Sequence, residues 1–336
     1  MKSNNVESAN PRDKLPQRVI SALERPELNR ILITGILLVV IYFLRPRFFS
    51  MGNINLLLTW GSIYAIAALG ETLALLVGGF DLSVGGVVSF GSVFVAKLLV
   101  EFGLGWWLAV PATLLICLII GFVSGYFSTR FSPPFPFLFP AFIFTLSVHF
   151  ILLGVMQYWT RSLPITPLPS GFKTFTMSIG GVVPMTFIYM IVIAGLLSFF
   201  LYYKPIGWKI FATGQDDEAA RYTGVNTTKV RILAYMGSAL LVGLAGILIA
   251  SSSNAASWQA GASSLPLMTV LVIPIVGGVS LSGGEGSPLM AVVGGFLIYS
   301  IENLIITLNI SPYYQQAIMG ILIIVFVSYD FLRQVK

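Results

Sequence analysis

Charge is what this 336-residue chain has least of. Only 10% of its residues are Asp, Glu, Lys or Arg, against about a quarter in a soluble domain. It has one cysteine and one histidine. The lone Cys117 excludes an intrachain disulfide and a thiolate metal cluster. The lone His149 excludes a paired-histidine site, so no metal centre is expected. No glycine-rich phosphate loop ending in Gly-Lys-Ser or Gly-Lys-Thr occurs, so the chain does not itself cradle ATP in the usual way. The first thirty residues lack an apolar run, and no cleavable signal peptide is expected. What is present is apolar surface: 56% of residues are hydrophobic and the mean hydropathy is +0.89. So much cannot be hidden inside one water-facing globule. The runs are long and continuous rather than alternating over segments of about ten residues, which favours helices over a membrane barrel. The expected fold class is an all-α polytopic membrane protein.

Ten apolar segments can be placed, at approximately 31–44, 54–77, 84–99, 106–127, 135–159, 183–203, 232–251, 263–282, 288–307 and 314–331. The chain then divides into a tail of residues 1–30, a ten-helix membrane domain over 31–331 containing an inner loop 204–231, and a tail of 332–336. Ten crossings put both termini on one side. With the termini cytoplasmic, fourteen of the nineteen basic residues lie inside. Arg45, Arg47, Arg161 and Lys173 lie outside, and Lys97 sits near a helix end. This bias is the positive-inside pattern. The formal charge of +6 is therefore read against membrane lipid, not nucleic acid.

Two loops exceed turn length. The outer one, 160–182, contains Pro164, Pro167, Pro169 and Gly171. The inner one contains Asp216 through Arg221, which reads as a short helix with Asp216 as N-cap and acids in its first turn, stopped by Gly224. A polar helix of two turns does not stand alone, so it is expected to pack on something; a solvated connector is the plainer reading.

An internal repeat organises the rest. Val77 through Gly85 matches Val276 through Gly284 at six of nine positions, with Gly78, Gly79 and Gly85 aligned to Gly277, Gly278 and Gly284. Repeats with broken, glycine-rich backbone are common in transporters, where they line the substrate route. Three acids lie at membrane depth: Glu71, Asp81 and Glu302. An acid there must face protein or water, so each either serves a polar route or bonds a neighbour. For Asp81, capping a helix that begins near Val84 is the local alternative. By position and polarity, Phe142, Thr145, His149, Asn254 and Trp258 are further route candidates, with His149 equally readable as a helix-packing residue.

Several strings carry a family resemblance. Ala68 through Leu73 followed by Gly78 through Gly85, Phe142 through Leu146, Gly214 through Val225, and Gly277 through Ser287 occur in the order found in the membrane permease subunits of ribose-type, monosaccharide ABC importers, which the chain resembles over 54–331. The resemblance implies a bacterial inner-membrane permease of about ten helices that forms the route for a monosaccharide or similar polar solute. It implies no enzymatic activity on this chain. Its partners would be a cytoplasmic ATPase carrying ATP and magnesium, an external solute-binding protein and a second permease copy. It also assigns docking on the ATPase to Asp217, Glu218, Ala219, Ala220, Arg221, Tyr222 and Gly224.

Departures from the family pattern are equally specific. The two acids usual before the second glycine loop are replaced within Leu267 through Gly278, the fifth span has Leu153 before Gly154 in place of an Arg, and that span begins with an unusual proline run over 133–140. These losses point to a heterodimer with a more typical permease chain. The rival classes are a proton-coupled secondary transporter using Glu71, Asp81 or Glu302, and a non-transporting structural subunit. An intramembrane aspartyl protease built on Asp81 and Asp330 is disfavoured, because Gly79-Phe80-Asp81 lacks the Gly-Asp adjacency of that class.

Overall fold

The structure, a computed structural model, describes residues 45–130, 138–261 and 265–311, together with isolated positions between 32 and 43, at 263, and between 314 and 328. The expected first and tenth segments, and most of the 133–140 proline run, lie outside the described residues. The other eight segments each coincide with a helix. These are α1 (Met51–Leu76), α2 (Val84–Val100), α3 (Trp106–Arg130), α4 (Leu138–Thr160), α5 (Met185–Tyr203), α8 (Thr227–Ser253), α9 (Leu267–Gly277) and α10 (Pro288–Thr307). Two shorter helices, α6 (Pro205–Gln215) and α7 (Asp217–Tyr222), fill the inner loop. A two-residue hairpin, β1 (Ser178–Ile179) with β2 (Val183–Pro184), ends the outer loop.

Six of these helices are long and apolar enough to cross a membrane, and α2 and α9 are shorter. The eighth segment departs most from expectation. Its helix has 11 residues with Pro274 inside it, so it rises about 16 Å, half of the roughly 30 Å hydrocarbon thickness. Pro266 precedes it and the left-handed Gly278, at φ 112°, terminates it.

Helix α8 is the hub and packs against α1, α2 and α3, while α10 lies along α1 and α9 bridges α10 to α1. Close approach explains the tight packing on α2: a Cβ on Gly91 or Gly246 would overlap backbone carbonyls of Gly243 or Val88 respectively. The periphery is equally clear. Of the apolar window of α1, 72% is buried inside the chain, against 17% for α5, whose Ile191, Val192, Leu196 and Phe199 face outward. Such surface suits lipid or another membrane chain.

The polar ends are locally determined. Asn226 caps α8 by accepting from the Lys229 amide at 3.0 Å, and Ser287 caps α10 by accepting from Met290 at 3.3 Å. Pro205 and Pro288 occupy first-turn positions where no amide partner is needed.

Candidate functional site: paired glycine loops and the exposed helix

The two repeat loops meet. The Gly284 amide donates to the Leu76 carbonyl at 3.0 Å, and a Cβ on Gly283 would lie 2.7 Å from the Gly78 Cα. Both loops follow helix C-termini that point to the same end of the bundle, so the copies run in the same direction. They do not share one backbone. Gly78 adopts φ 69° in the first, whereas in the second the left-handed residue is Gly278, which aligns with Gly79, and Gly283, Gly284 and Gly286 are also positive. Val77, Asp81, Leu82 and Val279 of these loops are buried within the chain, which shields their non-helical backbone from lipid.

Glu71 and Asp81 lie together directly behind the first loop, both fully buried. Asp81 Oδ1 accepts from the Ser83 amide at 2.9 Å and from the Ser83 hydroxyl at 2.5 Å. It therefore fixes a turn and does not cap α2, since both its partners belong to Ser83, ahead of the helix. Neither carboxylate oxygen of Glu71 has a hydrogen-bond partner among the described residues. Tyr235 of α8 closes this pocket, donating its O–H to the Phe80 carbonyl at 3.0 Å.

Other candidates gather around the start of α2. Thr145 O–H donates to Ala141 O at 2.7 Å and approaches Phe80 O at 3.5 Å. His149 Nδ1 accepts from the Gly86 amide at 2.8 Å, so this nitrogen is unprotonated and the ring holds α4 on α2. The Trp258 carbonyl accepts from Ser89 Oγ at 2.5 Å. Glu302 stands apart, accepting from Tyr64 O–H at 2.6 Å between α1 and α10. Asn254 is the left-handed end of α8, φ 52°, with its carbonyl accepting from Thr166 Oγ1 at 3.2 Å. Phe142 is 45% exposed on the outer face of α4.

Helix α7 forms as its residues dictate. Asp216 Oδ1 accepts from the Glu218 amide at 3.0 Å and the Ala219 amide at 2.9 Å, and Gly224 leaves the helix at φ 85°. Ala219, Glu218 and Tyr222 face solvent, with Tyr222 84% exposed. Ala220 differs from expectation: at 4% exposure it packs with Val225, Val230 and Ala234 in the chain's own core, so its side chain is not available to a partner. Asp217 is also committed internally, to Arg221 at 2.9 Å and to Arg231 at 3.3 Å.

At the opposite end of α1 lies a cleft of about 420 Å³ lined by Asn55, Thr59, Trp60, Lys173, Thr174 and Ser252 among others. Its 21-residue separation along α1 from Leu76 corresponds to about 30 Å at 1.5 Å per residue, one membrane thickness. Sequence reading missed these residues, because isolated Asn, Thr and Ser give no signal until folding gathers them. Tyr235 gives no signal either, because its partner, the Phe80 carbonyl, lies 155 residues away in the chain.

Comparison with known proteins agrees with the architecture. Residues 53–327 match the family model described as branched-chain amino acid transport system / permease component. A ribose import permease protein of Haemophilus influenzae is 32% identical over 88% of this chain and 90% of its own length. The ribose import permease protein of Bacillus subtilis is 30% identical over 88% and 89%. An autoinducer 2 import system permease protein of Escherichia coli is 28% identical over 89% and 86%. No solved structure gives a significant match.

Proposed function

The chain belongs to the branched-chain amino acid transport system / permease component family, and from that premise we propose that it carries a monosaccharide of the ribose kind across the membrane between the outer cleft and the paired glycine loops. It is a multi-pass inner-membrane permease subunit of an ABC importer and not an enzyme, since in such systems the ATPase is a separate chain. Membership overturns the proton-coupled alternative. The acids at depth are therefore read as parts of the packed core and route, not as a proton relay.

The observation that carries the reading is the place of α7. A short helix with an exposed Ala219, Glu218 and Tyr222 follows directly on the end of α6, whose Gly214 and Gln215 touch both glycine loops, and a cytoplasmic ATPase binding ATP and magnesium can push on it there. Docking then biases one packed state over another, which is all that active transport requires of this subunit. The excess of basic residues in the tails and in the 204–231 loop supports reading both termini as cytoplasmic. The route takes its polar lining from the Asn55, Thr59 and Trp60 cleft, where hydroxyl and amide groups beside an indole suit a polyhydroxylated solute. The second permease copy is a different chain: Leu267 and Thr269 stand where the family has acids, and a more typical partner retains them on its side of the route.

The test is uptake of labelled ribose by proteoliposomes containing this chain, its ATPase, a second permease and the binding protein. ATP-dependent uptake that resists a protonophore is expected. Uptake that follows the proton gradient and ignores the ATPase would overturn the proposal, and full uptake with this permease alone would remove the heterodimer.

A further inference from the structure

Helix α7 is tied to the glycine loops along two converging lines. The first runs through α8. Asp217 Oδ1 lies 3.3 Å from Arg231 Nη2, and that Arg side chain is only 9% exposed. One turn further along α8, the buried Tyr235 hydroxyl bonds the Phe80 carbonyl in the first loop at 3.0 Å. Gly79 makes room for this, since a Cβ there would lie 2.8 Å from the Tyr235 oxygen. The second line runs through the end of α6, where Gly214 rests on the Leu76 carbonyl and the Gly284 amide, touching both loops at once. A common apolar core of Ala220, Val225, Val230, Leu76, Val77 and Val279 fills the space between the lines.

Close packing of this kind transmits displacement and does not absorb it. Separating Asp217 from Arg231 is also costly, because it takes a carboxylate away from a guanidinium that is only 9% exposed. A push on α7 therefore carries Arg231 with it, and the i, i+4 relation carries Tyr235 and the first loop in turn.

We propose that Arg231 and Tyr235 are positioning residues that deliver movement of α7 to the paired glycine loops, and that Asp217 serves this internal tether and not the docking face. The proposal rests on the reading of α7 as the docking helix, and its test separates the two.

In the reconstituted complex, ATP hydrolysis and labelled ribose uptake are measured together for wild type, Tyr235→Phe, Arg231→Gln, and the exchange of Asp217→Arg with Arg231→Asp. Tyr235→Phe keeps the ring and removes only the bond to Phe80, so it preserves packing. Both single variants are expected to hydrolyse ATP within about twofold of wild type while ribose moved per ATP falls about tenfold. The charge exchange is expected to recover part of that ratio, because it restores the pair between positions 217 and 231 but gives up the bond from Asp217 to Arg221; a merely structural role would instead lower hydrolysis and uptake together. Wild-type ribose-to-ATP ratios in both single variants would overturn the inference while leaving the function intact. Parallel loss of hydrolysis and uptake in Tyr235→Phe would also overturn it, since that is loss of assembly. A wild-type complex without ATP-dependent uptake removes the functional reading and the inference with it.

Discussion

The Gly284 amide donates to the Leu76 carbonyl at 3.0 Å, so the loop after α9 closes directly on the end of α1. That bond joins positions 208 residues apart and makes one junction of two loops that the sequence presents as separate copies. With Gly214 pressed against both partners, the junction has no spare volume, and its geometry sets the first expectation.

Gly214→Ala adds a Cβ that overlaps the Leu76 carbonyl and lies 2.5 Å from the Gly284 amide nitrogen. Overpacking of this kind costs about 1–3 kcal/mol, which falls on whichever transport state closes the junction. Uptake should drop about tenfold or more at unchanged expression. Gly195→Ala on α5 meets nothing within 4 Å and should transport as wild type. Equal uptake from the two variants would show that the junction tolerates opening.

The adjacent alanines of α7 should behave oppositely. Ala219→Arg adds an exposed charge to the outer face and should weaken ATPase capture in a detergent pull-down without lowering the melting temperature of the permease. Ala220→Arg buries an unpaired charge in the core shared with Val225 and Val230. It should destabilise the chain by about 3–5 kcal/mol, read as lost yield and early thermal unfolding. A stable Ala220→Arg protein would place that side chain outside the core.

Tyr64→Phe removes the O–H that bonds Glu302 at 2.6 Å and should cost about 1–3 kcal/mol in thermal unfolding. A double-mutant cycle with Glu302→Gln should be non-additive, because both variants act on one bond. Additive losses would mean that the two side chains act independently.

Cys117 is buried against Gly243, so the folded wild type should resist maleimide until denatured. In a Cys117→Ala background, Ser170→Cys and Thr223→Cys place single thiols at exposed positions, the first at the start of a short helix in the outer segment and the second in the turn after α7. An impermeant maleimide should label Ser170→Cys from outside intact cells and Thr223→Cys only after the inner face is opened. The reverse pattern would invert the orientation drawn from the basic residues.

Much of this was legible before folding. The short helix, its Asp216 cap and its Gly224 stop were written locally, because capping needs only neighbours two or three residues away. Eight apolar segments announced helices for the same reason: continuous hydrophobicity is a property of a stretch. The eighth is shorter than its apolar stretch, since apolar composition continues through Val279 and Leu281 while Pro266 and Gly278 bound the helix. His149 was legible as a lone polar residue, but its bond to the Gly86 amide belongs to the packing of α4 on α2.

Composition and local pattern fix that this is an all-α membrane protein, where two glycine loops break the helices, and which family it resembles. Each of these is set by composition or by short-range pattern. The tertiary structure alone decided that the loops touch, that Ala220 faces inward while Ala219 faces outward, that Asp217 pairs with Arg231, and that Asn55, Thr59 and Trp60 share a cleft with Ser252. The physical reason is separation along the chain. Contacts between residues far apart in sequence depend on which helix faces meet, and that is settled only when the whole bundle finds the packing that buries its polar backbone breaks.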